Sequence, residues 1–278
     1  MDELNINDKV AVITGGGGII CSAMARSLAD KGVRTAVLDL NKEAALKVSA
    51  EIEKESGVPS LGIQANVLDK ESLEAAKNEI HSKLGPADIL INGAGGNSPA
   101  ATTKTERIEG TENPEDTFFG LQIQGFDRVF DLNFKGTLLA SMVFGEDMIK
   151  RKSGVIVNIS SMNSYRPLTK IPAYSAAKAA VNNFTQWLAV HFAKCGVRVN
   201  AIAPGFILTN QNRFLLIDEK TADLTARGRK ILNGTPMERF CLPEELTGTL
   251  LYLVSDMSKA VTGIIIPVDG GFSAYSGV

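Results

Sequence analysis

Cysteine, histidine and any surplus of one charge are all scarce in this chain of 278 residues. The three cysteines, Cys21, Cys195 and Cys241, are scattered and lack CxxC spacing, which excludes a disulfide framework or a zinc cluster as the organising feature. His81 and His191 stand far apart with no cysteine or carboxylate cluster around either, so no metal site is expected. Lys plus Arg (29) nearly balance Asp plus Glu (31) and form no long basic run, so neither nucleic acid nor a membrane is an expected partner. No apolar stretch reaches the ~18 residues of a membrane span. Met1-Asp2-Glu3-Leu4-Asn5 is acidic and polar where a secretory signal is basic and then apolar, so a cytoplasmic protein is expected. Linkers, repeats and low-complexity tracts are also missing, and a single domain over residues 1–278 follows.

What the chain does have is alternation. Short β-branched apolar runs at 10–14, 35–38, 61–65, 89–92, 155–160, 197–201 and 264–268 read as seven strands. Between them, 23–31, 42–55, 70–84, 126–150, 172–194 and 243–253 carry apolar residues at helical spacing, several closed by Gly32, Gly57, Gly85 or Gly196. This is the pattern of βαβ units on a parallel sheet, so the expected fold class is α/β, doubly wound around seven parallel strands. Two segments, near 96–124 and 206–240, fall outside the alternation and follow strand ends on the edge where such sheets bind ligands; they are the expected substrate side.

The first strand runs through Thr14 into Gly15-Gly16-Gly17-Gly18 and then into a helix. Such a turn brings backbone N–H groups and a helix N-terminus up to a pyrophosphate with no side chain in the way. Asp39 ends the second strand at about the ~20-residue offset where a carboxylate accepts from adenosine ribose hydroxyls, unless it only caps the next helix. No arginine lies beside it in sequence to hold a 2′-phosphate, and its charge would repel one, so NAD(H) is favoured over the phosphorylated cofactor.

Tyr174 and Lys178, at i and i+4 in a helical pattern, share one face. A phenol is almost fully protonated at pH 7, and an ammonium beside it is expected to stabilise the phenolate and make it an acid–base catalyst. Ser161, at the end of the fifth strand, supplies a hydroxyl for a substrate carbonyl or alcohol oxygen.

In this order the motifs resemble the short-chain dehydrogenase/reductase family over essentially the whole chain: Thr14-Gly15 with the glycine run, Asp39, Asn92-Gly93-Ala94-Gly95, Asn133, Ser161, Tyr174-x-x-x-Lys178, Pro204-Gly205 and Thr209. The resemblance implies a Rossmann-type fold and a catalytic set of Asn133, Ser161, Tyr174 and Lys178. Tyr174 would move the proton, Lys178 would tune it and bind the nicotinamide ribose, Ser161 would orient the reacting oxygen, and Asn133 would hold a relay water. It implies that NAD(H) runs along Thr14, Gly15, Gly17, Gly18, Ile19, Asp39, Asn66, Val67, Asn92, Gly93, Ala94, Gly95, Pro204, Gly205 and Thr209 to Tyr174 and Lys178. The chain departs from the family where Ile19 and Cys21 replace glycines, Asn66 replaces a frequent Asp near the adenine, and Gly93 replaces an Asn.

Within the family, Gly15-Gly16-Gly17-Gly18 without a glycine at 21, the segment after Gly96-Asn97, Ser160-Ser161-Met162-Asn163 and the ending Asp269-Gly270-Gly271-Phe272 are similar to the D-mannonate oxidoreductase (fructuronate reductase) branch. That branch reduces D-fructuronate in hexuronate breakdown. A sugar acid needs a carboxylate partner and hydroxyl partners, and Asn97, Asn163, Lys170 and Arg213 are the candidates, with Arg166 and Asn210 behind them. The same catalytic residues would serve a gluconate 5-dehydrogenase or a polyol dehydrogenase, and a non-catalytic NAD-sensing protein is a distant alternative. Val181, Phe184, Trp187 and Leu188 form a stripe that serves core or interface equally well; the resemblance implies a homo-oligomer, dimer or tetramer.

Overall fold

The inner strands form because each is a short run of β-branched and small apolar residues buried on both faces, as a sheet covered by helices on each side requires, while the two edge strands are only partly buried. In the computed structural model, which describes residues 4–209, 213–219 and 221–277, the strands are β1 (Val10–Thr14), β2 (Arg34–Asp39), β3 (Ser60–Gln64), β4 (Ile89–Asn92), β5 (Gly154–Ile159), β6 (Val197–Pro204) and β7 (Ile265–Val268). They pair in parallel in the order β3-β2-β1-β4-β5-β6-β7. The order reverses between β1 and β4, and this switch point is where such sheets open a ligand crevice.

Period-2 alternation sends each strand's residues into two separate cores. Ala11 and Ile13 meet Met24 and Leu28 of α1 (Ile19–Ala29), Val48 and Ile52 of α2 (Lys42–Ser56) and, further along, Leu250 and Leu253 on one face. Val10 and Val12 join the opposite cluster with Leu73 and Ile80 of α3 (Lys70–Lys83) and, further along the chain, Phe144, Met148, Phe184 and Leu188. Asn41 caps α2 by accepting from the Ala44 N–H, and Gly57 closes it in the left-handed region at φ 70°.

The long helix expected over 126–150 is α4 (Ile123–Phe130) and α5 (Gly136–Arg151), joined by a π-helical turn at Asp131–Lys135. A single wide turn leaves the apolar spacing on either side intact, which is why the sequence pattern does not reveal it. The next helix, α6 (Pro172–Phe192), has Pro at its first position, and Gly196 ends the turn after it at φ 68°. Segment 206–240 is less irregular than its composition suggests. It contains α7 (Arg213–Leu216) and α8 (Ala226–Asn233), both too short for a clear periodicity, before α9 (Thr247–Val254). Segment 96–124 holds three short 3-10 turns before α4 begins, and it is tied to α8 by the Lys230–Glu106 ion pair. Among the described residues no helix is long and apolar enough to cross a membrane.

Candidate active site

The turn after β1 is built to leave backbone bare. Gly15 sits at φ 65°, and a Cβ there would lie 2.8 Å from Ala94 Cα. A Cβ on Gly17 would lie 2.7 Å from Ala44 Cβ and 2.9 Å from Asp39 Oδ2, so neither position admits a side chain. Helix α1 starts at Ile19, directly after Gly18, with no side-chain cap and no acid in its first turn. Its first N–H groups are therefore free to meet an anion. The earlier start than the expected residue 23 follows from Ile19, Ile20 and Cys21 running on from the turn without a breaker.

Asp39 at the end of β2 accepts from Gly17 N–H at 3.0 Å and from Asn41 N–H at 2.9 Å. It is not the cap of α2, a task done by Asn41, and it forms part of a cleft wall. A cleft of about 720 Å³ runs from this turn across the switch point; among its walls are Gly15, Gly17, Gly18, Ile19, Asp39, Asn66, Val67, Gly93, Ala94, Gly95 and Thr209. Thr14 and Asn92 support it from behind. Thr14 Oγ1 accepts from Gly93 and Ala94 N–H at 3.1 and 3.3 Å, which fixes the chain after β4. The Asn92 side chain turns into the core, donating to Ser141 Oγ and Asn158 Oδ1. Pro204 ends β6 and Gly205 follows it, with Gly205 N–H bonded to the Val268 carbonyl.

At the cleft's inner end Gly95 is pinned between two polar side chains. A Cβ there would lie 2.6 Å from Asn133 Oδ1 and 3.2 Å from Lys178 Nζ. Asn133 sits in the π turn, fully buried, and its amide bonds Gly96 in both directions, to the carbonyl at 2.7 Å and from the N–H at 3.2 Å. Its side chain is thus spent on holding the loop after β4. Ser161 Oγ accepts from the Asn163 N–H at 3.2 Å, and its hydroxyl is near enough to Tyr174 to favour the phenolate. Lys178 Nζ stands 5.7 Å from the Tyr174 ring centroid and donates to the Ile159 carbonyl at 2.7 Å.

The electrostatics differ from the expectation that the ammonium lowers the phenol. Burial raises Tyr174 above its ordinary 10.0, with the Ser161 hydroxyl pulling the other way. Burial also pushes Lys178 down from 10.5 to about 8, a fall that the nearby Cys21 thiol only partly opposes. The physical reason is that both groups are dehydrated, which disfavours the charged form of each. At neutral pH the site therefore holds a protonated phenol, the form that donates a proton.

This geometry agrees with what the sequence matches. Residues 9–220 fit the short chain dehydrogenase family. The chain belongs to that family. UxuB of Bacillus subtilis, an uncharacterised oxidoreductase, is 53% identical over 275 residues, covering 99% of this chain and 98% of the relative. A candidate D-mannonate oxidoreductase from Haemophilus influenza, solved with NAD bound, superposes with a TM-score of 0.94 at 51% identity, covering 99% of this chain and 98% of its own. The 2-dehydro-3-deoxy-D-gluconate 5-dehydrogenase of Dickeya dadantii is 32% identical and is covered to 99%, as is this chain.

Two of the departures from the family's pattern, Cys21 and Gly93, have a steric explanation. A Cβ on Gly93 would lie 2.1 Å from Cys21 Sγ, so the thiol occupies the volume that a side chain at 93 would need. The two substitutions compensate each other, and burial pushes the Cys21 thiol up to about 12, keeping it neutral. On the substrate side, Asn163 is buried with its Oδ1 unpartnered, and Asn97 is exposed and donates to Thr102 Oγ1 at 2.9 Å. The Lys170 carbonyl accepts from Thr103 N–H, joining the start of α6 to segment 96–124, and Arg213 opens α7 with its N–H on the Thr209 carbonyl. Arg166 is turned toward the chain end, bonded to the Tyr275 carbonyl, and Asn210 lies outside the described residues. Further cleft walls outside the predicted set are Ile20, Leu40, Ala65 and Leu68, which adjoin predicted residues, and Arg128 and Leu132, which only the fold brings there.

Proposed function

We propose that the chain is an NAD(H)-dependent oxidoreductase that interconverts a sugar-acid ketone and its alcohol, with D-fructuronate and D-mannonate as the pair. One observation carries the reaction class: the Ser161 hydroxyl beside Tyr174, with Lys178 Nζ 5.7 Å from the phenol ring and against Gly95, at the inner end of a cleft that begins at a side-chain-free glycine turn. The residues fit a dinucleotide, because the bare turn and helix N-terminus suit its diphosphate and the braced Asp39 carboxylate suits a ribose diol. Bound NADH supplies the hydride.

The chain's own residues do the rest. Ser161 holds the carbonyl oxygen by a hydrogen bond, and Tyr174, protonated at neutral pH, passes its proton to that oxygen as the carbon is reduced. Lys178 faces the phenolate so formed and offsets its charge. In the reverse direction Tyr174 takes the alcohol proton. The sugar-acid substrate is supported by the likeness to the relative at 51% identity. Gluconate-type substrates are the second reading, favoured by the relative at 32% identity. We place the protein in the cytoplasm and read exposed Trp187 and Val190 on α6 as part of a homo-oligomer face.

The test follows NADH absorbance at 340 nm with fructuronate, tagaturonate and 5-ketogluconate. Fructuronate is expected to give the highest kcat/KM, and Tyr174→Phe to lower it by about 10²–10⁴-fold. A higher value with 5-ketogluconate would move the assignment to the second reading, and turnover unaffected by Tyr174→Phe would remove the mechanism. Lys170→Ala and Arg213→Ala are expected to raise KM for the acid with KM for NADH little changed; unaltered values would take both out of the carboxylate site.

A further inference from the structure

We propose that Arg128 stacks its guanidinium on the adenine of the cofactor, so that this cleft reads the base with a cation where the family often has a carboxylate. The inference rests on the reading of the cleft as an NAD(H) site. Arg128 comes from α4, and its side chain forms part of the cleft wall together with Asn66, Val67, Leu68 and Leu132. Asn66, Val67 and Leu68 follow β3, which lies beyond β2 and Asp39 from the glycine turn after β1, so this is the side of the cleft left for the base once diphosphate and ribose are seated.

The guanidinium has other choices and takes none of them. Asp127 is its neighbour and Asp131 lies one turn on, yet among the described residues Arg128 forms no ion pair and no side-chain hydrogen bond, while Asp131 faces Lys135 at 3.9 Å. Asn66, at the position of the missing carboxylate, uses its Oδ1 to accept from Leu68 N–H at 3.0 Å. No anion on that wall competes for the arginine. A guanidinium is planar, permanently charged and weakly hydrated, which suits it to an aromatic face far better than an ammonium. Asp39 already holds the ribose end, so the cation is not needed for a 2′-phosphate.

The test measures dissociation constants by fluorescence and calorimetry for NADH, NADPH, ADP-ribose and reduced nicotinamide mononucleotide, which lacks the adenine half. Proteins compared are the full chain, Arg128→Ala and Arg128→Lys. Arg128→Ala is expected to weaken NADH and ADP-ribose by about 2- to 30-fold, the range of a cation–π contact, and to leave the mononucleotide within about twofold. Arg128→Lys should recover little of the loss, since it keeps the charge and lacks the plane. Unchanged ADP-ribose binding, an equal loss with the mononucleotide, full recovery by lysine or a larger loss for NADPH than for NADH would each overturn the proposal. Failure of the unaltered protein to bind NADH or ADP-ribose would instead overturn the cofactor reading itself, and the role of Arg128 with it. Because the side chain is exposed on a helix surface, the melting temperature of Arg128→Ala should match the parent, separating loss of affinity from loss of fold.

Discussion

Replacing Lys178 with methionine should stop turnover and, at the same time, stabilise the protein at low pH. Lys178 is 4% exposed, and burial lowers its pKa from 10.5 to about 8. Below pH 8 the folded protein therefore carries a dehydrated ammonium that the unfolded chain keeps in water, a penalty on the order of 3 kcal/mol at ~1.4 kcal/mol per pKa unit. Methionine preserves most of the stem's packing and removes that penalty, while the Ile159 carbonyl loses its donor at a cost of about 1–2 kcal/mol. The net gain of ~1–2 kcal/mol corresponds to a melting temperature about 2–6 °C higher at pH 6. Between about 8 and 10.5 the unfolded chain binds more protons at this position than the folded one, so the parent protein gains stability with rising pH and the variant does not. The difference in melting temperature should shrink to zero or change sign by pH 10. Differential scanning calorimetry of the two proteins across pH 6–10 reads it directly, with other titrating groups cancelling in the difference. A variant destabilised by the same amount at every pH would refute the reasoning, because it would mean that the ammonium is not dehydrated in the fold.

Three further outcomes follow from the same geometry. With saturating ketone, kcat/KM for NADH should be level near pH 7 and fall about tenfold per unit above about 8 as Lys178 loses its proton; Lys178→Arg should move that limb upward, and a limb left in place would assign it to another group. Gly93→Ala should lower the melting temperature through the 2.1 Å clash with Cys21 Sγ, and Cys21→Gly in the same chain should restore most of the loss, leaving the part due to the Thr14 carbonyl at 2.9 Å; strictly additive effects would show that the pair is not coupled. The parent should prefer NADH to NADPH, and Asp39→Asn should narrow that ratio by about tenfold, the effect of removing one charge near a 2′-phosphate at intermediate dielectric; an unchanged ratio would take Asp39 out of cofactor selection.

The parts of this protein that sequence alone made legible are those whose chemistry is local. A glycine run after a strand, a tyrosine and lysine one helical turn apart, and a carboxylate at a strand end each take the place in the fold that their local spacing predicts, and the sheet and crossover helices follow from periodicity. What stayed hidden depends on distance across the fold or on a shift of one residue in the backbone. The π turn under Asn133 leaves no mark on the apolar spacing, yet it presents Asn133 to Gly96. The direction of the Tyr174 shift depends on dehydration, which the i, i+4 spacing cannot report. Cys21 and Gly93 look like two unrelated losses of family character until the sheet brings them into contact. The same holds for Arg128, an ordinary surface residue on its own helix that becomes part of a nucleotide cleft only because the fold sets it in one wall with Asn66, Val67 and Leu68 after β3. Departures from a family's motif are therefore best weighed in pairs across the cleft: a loss at one wall marks the opposite wall as the place to look for its compensation.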